Sequence, residues 1–320
     1  NNKTFGIHFL HLYICAVLAT IGMGKKKTLS HILAILTIII WGITLISTKV
    51  LILNGLSPAA IMLYRFVIAY AVLWILYPHW GKVTRLKDEG ILLLTGLSGG
   101  TIYFLTENTA VGITNTSNVA LIVTTAPLLT ALIANFTLKS EPLKRNTLFG
   151  SVIALTGVFL IVFNGNFVLE LNPWGDFLSF ISALSWALYS ILIKGISSKY
   201  PILFITRRVF FYSILTLLPW FIYEPLHWEP ALLLKPAVLF NLLFLGVIAS
   251  SLCFFVWNMV IKNIGAVRTN NYIYFISIVT IAVSRSVLDE KITGYAIGGA
   301  ILILSGVYFA DHSRHTVKQK

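Results

Sequence analysis

Charge is what this chain most lacks. Only 11% of its 320 residues are charged, against about 25% in soluble domains, while 57% are hydrophobic. A water-soluble globule and a coiled coil are thereby excluded, and a mean hydropathy of +0.86 excludes disorder. Cysteine is equally scarce. Cys15 and Cys253 both lie inside apolar runs, so there is neither a disulfide framework nor a thiolate metal site. None of the seven histidines falls in the middle of a body span, which removes the commonest general base and metal ligand from the apolar interior. If each membrane span takes about 20 residues, ten spans leave about 120 for tails and connectors, and no soluble domain fits.

Apolar runs bounded by Pro, Gly, Asn or charge place spans at roughly 30–53, 58–77, 91–111, 115–138, 147–164, 175–194, 201–222, 237–261, 267–288 and 292–310. Near-continuous apolarity dictates helices, because the alternating ten-residue segments of a barrel are missing. The net charge of +13 is parcelled into short connectors rather than gathered on one face, so it reports topology and not nucleic-acid binding. With the tail before span one inside, cytoplasmic segments carry sixteen Lys and Arg, and external connectors only Lys235 and Lys291. A plasma-membrane protein (the inner membrane, if the source is bacterial) is expected, with both ends of the ten-span body in the cytoplasm. Residues 1–22 are an apolar extension read as a leader or misplaced start, since Met23 precedes an ordinary cytoplasmic GKKKTLSH. Residues 312–320 form a cytoplasmic tail.

The body repeats itself. Trp41-Gly42 with Lys49 recurs as Trp186-Ala187 with Lys194; Pro58 and Arg65 recur as Pro201 and Arg208; Glu141, Gly150, Gly157 and Val158 recur as Glu290, Gly299, Gly306 and Val307 with identical spacings. The halves are 23–165 and 166–311. Five spans in each force the second to enter the bilayer from the opposite side, giving inverted repeats, the usual frame of alternating-access transporters.

Trp41-Gly42, Lys49, Pro58, Arg65-Phe66, Pro127, Glu141-Pro142 and the Gly150/Gly157 pair also resemble the EamA-type ten-span exporters of the drug/metabolite transporter superfamily, over residues 28–311. That resemblance implies an all-α fold of ten transmembrane helices in two inverted five-helix repeats. It also implies a central cavity lined mainly by spans 1, 3, 4, 6, 8 and 9, and export of small metabolites or amino acids. Two departures stand out: Ser277 stands where the second repeat usually has a proline equivalent to Pro127, and at two positions Ser140 and Asp289 replace the Gly before the Glu. A proline-driven bend in span nine is therefore not expected.

Ten of the eleven carboxylates lie in tails, connectors or span ends; Glu107 alone lies within a span. Intramembrane carboxylates are costly and face a cavity or a partner, so Glu107 is a candidate proton carrier or partner for a substrate amine, unless it only snorkels or pairs with an Arg. Asn108 matches Asn258 in the second half, where Glu107 matches Trp257; the two Asn either bind substrate or join helices. Trp41, Trp186, Tyr189, Trp257 and Tyr272 are candidate aromatic walls, with Thr44 and Asn118 as polar additions. Lys49 and Lys194, near helix C-termini, and Arg65, Arg208 and Arg285 suit gating or structural charge roles. Gly294 and Gly298 form a small-xxx-small face for helix packing or a dimer contact. A homo-oligomer is compatible with the sequence but not implied by it. No metal, cofactor or catalytic set is expected. The rival classes are a membrane-embedded enzyme, whose nearest metal cluster is Glu224, His227 and Glu229 in an external loop, and a receptor or structural membrane protein.

Overall fold

Backbone groups in a bilayer must bond within their own segment. Helices are the outcome, and no strand occurs among the described residues. The computed structural model describes residues 27–79, 81–114, 116–163, 172–226, 229–279 and 294–311. Residues 1–26 and 312–320, together with Arg285, Asp289 and Glu290, lie outside that set.

Helix α1 (Lys27–Leu53) is followed by α2 (Pro58–Leu76), whose start is set by Pro58 at its first turn and by the Ser57 hydroxyl accepting from the Ala60 N–H. The third expected span is composite: α3 (Leu86–Gly96), a π-helical stretch Leu97–Ile102, and α4 (Tyr103–Ile113). The fourth is α5 (Thr116–Val123) and α6 (Ala126–Thr137), parted just before Pro127. Proline has no N–H and its ring crowds the carbonyl four residues back; Thr124 and Thr125 turn their hydroxyls onto the Leu121 and Ile122 carbonyls, each at 2.7 Å. Then come α7 (Arg145–Phe163), α8 (Pro173–Ile196) and α9 (Ile202–Leu217), which runs into a 3₁₀ turn Leu218–Ile222. A short α10 (Pro230–Leu233) precedes α11 (Pro236–Leu243), a second π-helical stretch Phe244–Leu252 and α12 (Cys253–Ile264). The chain continues as α13 (Ala266–Asn271), a 3₁₀ turn Tyr272–Tyr274, a helical segment 275–279 and, last, α14 (Gly294–Asp311).

Seven helices among the described residues are long and apolar enough to cross a membrane, and Ile297–Ala310 is a shorter apolar helix. The seven coincide with expected spans 1, 2, 4, 5, 6, 7 and 8. Expected spans three and eight both run through a π-helical stretch, but only span eight is among the seven; span nine extends beyond the described residues.

Features recur at the repeat spacing. Both π-helical stretches end at matched residues, Ile102 and Leu252. The break in span nine, at 272–274, matches the break in span four at Thr124, although Ser277 replaces the proline. Span nine thus passes into a 3₁₀ turn without the proline that accompanies the break in span four.

The last helices of the two halves cross through glycine. A Cβ on Gly150 would stand 2.4 Å from the Gly306 carbonyl oxygen, and one on Gly306 would stand 2.5 Å from that of Gly150; Gly157 and Gly299 are related in the same way, at 2.5 and 2.6 Å. The pairs run in opposite order along the chain, so α7 and α14 are antiparallel. Lipid gives apolar helices no hydrophobic reason to associate, and close backbone approach through small residues supplies the dispersion contact instead. The expected small face of Gly294 and Gly298 does not take part, since a Cβ at either meets open space. Gly157→Leu should therefore lower stability by about 3 kcal/mol, seen as an earlier thermal melt in detergent, while Gly294→Leu should melt like the parent.

Candidate functional site

One cavity among the described residues gathers charge and aromatic rings. It is lined by Trp41 and Thr44 of α1, Arg65 of α2, Tyr103, Phe104 and Glu107 of α4, Val119, Ala120 and Val123 of α5 with Thr124 just after it, Ala126 of α6, Trp186 of α8, Phe254 of α12, and Ile273 and Ile276 of span nine. Its volume is about 60 Å³, room for a few waters at about 15 Å³ each and well below the about 300 Å³ of a small-molecule pocket. The site is contracted in this conformation.

Glu107 and Arg65 are both buried. The Tyr103 hydroxyl, one helical turn before Glu107, donates to its Oε1 at 2.7 Å. Arg65 donates from Nε to Ser250 Oγ at 3.0 Å and lays its guanidinium over the Phe104 ring, 4.3 Å from the centroid. The ion pairs among the described residues lie elsewhere, at Lys199–Asp88 and Arg208–Glu89, so both cavity charges keep bonding capacity toward the cavity. The repeat-related Trp41 and Trp186 meet edge to face at 5.3 Å. Each indole N–H is fixed, Trp41 to the Ala249 carbonyl at 3.0 Å and Trp186 to Asn270 Oδ1 at 2.9 Å. The Thr44 hydroxyl bonds the Trp41 carbonyl at 2.7 Å.

Other expected site residues stand behind this wall. Tyr189 and Trp257 are fully buried and back the two tryptophans at 5.1 and 4.8 Å. Asn108 donates to the Pro58 carbonyl at 3.5 Å, and Asn258 donates to Thr206 Oγ1 at 3.0 Å while accepting from the Tyr189 hydroxyl at 2.6 Å. Each Asn therefore joins the third span of its half to the second. Tyr272 bonds His31 Nδ1 at 2.5 Å. The Asn118 side chain and Arg285 lie outside the described residues.

The lysines cap helices, though not their own. Lys49 Nζ reaches the Val111 carbonyl at 3.4 Å, near the end of α4, and Lys194 Nζ reaches the matched Ile261 carbonyl at 3.4 Å and Lys262 at 3.2 Å, near the end of α12. A cation there suits the negative helix terminus and satisfies carbonyls that lipid cannot. Arg208 pairs with Glu89 at 3.2 Å. Its neighbour Arg207, passed over in the sequence, is buried, donates to the Tyr77 and His79 carbonyls and covers the Trp74 ring at 4.4 Å.

Residues 28–163 and 173–310 each match the EamA-like transporter family. The chain belongs to that family. Similar proteins include an uncharacterized transporter of Archaeoglobus fulgidus, 25% identical over 89% of this chain and 98% of its own length. Another is a probable amino-acid metabolite efflux pump of Escherichia coli K12, 25% identical over 87% of this chain and 93% of its own. A crystal structure 17% identical to the chain shares its fold, with a TM-score of 0.71 over 88% of this chain and 97% of that one. Family membership makes this a multi-pass membrane protein of the drug/metabolite transporter superfamily, and it fits the cavity: its wall comes from spans 1, 3, 4, 6, 8 and 9, with Arg65 added from span two.

Tyr103 and Phe254 are cavity residues that the sequence reading missed. Tyr103 carried a usable signal, the four-residue spacing that places it one turn from Glu107; Phe254 carried none, being one apolar residue among many in its span. The bonding of Asn258 makes a helix-joining role testable. Asn258→Leu should cost about 0.6–1.7 kcal/mol of stability in a detergent melt and leave the KM of transport unchanged.

Proposed function

We propose that the chain is a ten-span secondary exporter in the plasma membrane, in which two inverted five-helix halves alternate access to the cavity and Glu107 carries a coupling proton. The observation that carries the proposal is Glu107 itself. It is the sole carboxylate within a span, it is buried, and it lies on the cavity with one bond from Tyr103. The inversion is supported by the antiparallel glycine crossing of α7 with α14, by the matched Lys49 and Lys194 caps, and by the distribution of Lys and Arg.

Contacts between the halves crowd the side proposed as cytoplasmic. Lys199 pairs with Asp88 at 2.6 Å, Ser30 bonds Asn263 at 3.1 Å, and the Glu141 carboxylate accepts from the Ala266 and Val267 N–H groups at 3.0 and 2.8 Å. Gly265, at φ +102°, lets the chain turn there within reach of Glu141. This conformation is accordingly read as closed to the cytoplasm. The substrate is a small metabolite, as the name of the Escherichia coli relative suggests. Arg65 suits a carboxylate on it and the paired tryptophans suit an apolar body. Transport, with no covalent chemistry, is the activity we assign.

Glu107→Gln should abolish proton-driven flux in proteoliposomes while preserving substrate exchange, because exchange needs no net proton release. Loss of both modes would instead assign Glu107 to a substrate amine. Wild-type gradient-driven flux from a folded Glu107→Gln protein would overturn the choice of site.

A further inference from the structure

Two cavity residues of the first half are held by consecutive residues of the second. Both holders belong to the π-helical stretch of span eight: the Ala249 carbonyl accepts from the Trp41 indole N–H at 3.0 Å, and the Ser250 hydroxyl accepts from Arg65 Nε at 3.0 Å. Such widened turns are rare and recur at functional sites. Arg65 and Ser250 are both buried. The guanidinium lies over the Phe104 ring, 4.3 Å from its centroid, a cation–π contact that fixes its plane, while the Nε bond fixes its rotation within that plane.

That Nε bond is the one hydrogen bond Arg65 makes among the described residues, and Glu107, the acidic group on the same cavity, does not pair with it. A buried cation without a counter-ion is costly. With Nε occupied, the two terminal amino groups of a residue that lines the cavity remain for a ligand. Two coplanar N–H donors match the two oxygens of a carboxylate, whereas a neutral amide offers that fork only one oxygen. The other half lacks the device. At the spacing that relates Asn108 to Asn258, Ser250 matches Gly100, where a Cβ would collide with Ser213 Oγ. Arg208, the match of Arg65, pairs with Glu89 instead. The serine and the cavity arginine thus occur together, across one pairing of spans only.

We propose that Ser250 is the positioning residue that makes Arg65 an anion receptor, and that the substrate is accordingly an organic carboxylate. The inference rests on reading the cavity as the substrate site. The acid group takes the terminal amino groups of Arg65, and the apolar body lies against Trp41 and Trp186. Ser250 does not itself touch the substrate; it occupies Nε and so turns the free end of the guanidinium to the cavity. Neither step requires Glu107 to carry a proton.

The test is equilibrium dialysis of the purified full chain in detergent against radioactive benzoate, with benzamide, its neutral isostere, as competitor. The parent should bind benzoate saturably and prefer it to benzamide by at least about 10-fold, the smaller end of what a hydrogen bond to a charged group supplies. Arg65→Gln should abolish the preference. Ser250→Ala should weaken benzoate about 10-fold and leave benzamide unchanged, a split that a loss of packing would not produce. A parent that does not prefer benzoate would overturn the carboxylate assignment, and a Ser250→Ala protein that weakens both ligands alike, or neither, would reduce Ser250 to a helix contact. If Ser250→Ala does not fold, Ser250→Cys, whose thiol is a weak acceptor, takes its place: a reduced preference supports the inference and an undiminished one overturns it. Dialysis involves neither gradient nor flux, so a benzoate preference stands even where Glu107→Gln keeps wild-type flux, and the two readings fail separately.

Discussion

Lipid donates and accepts no hydrogen bonds, and nearly every special feature of this molecule answers to that one constraint. A continuous helix meets it without help, whereas a binding site cannot be made from continuous helices alone. The chain therefore breaks or widens its helices at a few places and repairs each locally. Thr124 and Thr125 cover the carbonyls released ahead of Pro127, Glu141 takes two N–H groups at the start of α13, and Lys49 and Lys194 cover the ends of α4 and α12. The cavity lies among these repairs, at the level where spans four and nine are interrupted and just beyond the π-helical stretches of spans three and eight.

Symmetry explains why the repairs come in pairs, and its failures show where function enters. The two tryptophans, the two lysines, the two third-span asparagines and the four crossing glycines do matched work in both halves. Glu107 has no acidic counterpart, since its match is the buried Trp257. Arg65 faces the cavity, yet its match Arg208 pairs with Glu89 at the helix ends. One half thus supplies charge to the cavity while the other closes it with aromatic bulk from Trp186 and Phe254.

Much of the fold was legible in the sequence because span length, connector charge and repeat spacing are properties of the chain alone. The seven long apolar helices fall where hydropathy placed them, and Trp41, Thr44, Trp186 and Glu107 do meet at one cavity. What could not be read has a physical cause. In a soluble helix, amphipathicity marks the buried face; in an apolar span, lipid-facing and protein-facing residues look alike, so Phe254 and the backing role of Tyr189 were invisible. Gly294 and Gly298 looked as good a packing face as Gly299 and Gly306, because spacing gives no phase around the helix. The lysines were recognised as helix caps, but which helix they cap is a tertiary fact. Proline was too narrow a criterion for a break: the 3₁₀ turn at Tyr272–Tyr274 forms without it.

The central claim is that two matched halves face opposite sides of the membrane. Arg85 and Lys235 test it most directly, because each is the exposed residue immediately before the third span of its half, at α3 and α11. With single cysteines at these two positions and a membrane-impermeant thiol reagent on intact cells, Lys235→Cys should label at once and Arg85→Cys only after permeabilisation. Labelling of both from the same side would make the halves parallel and contradict the account.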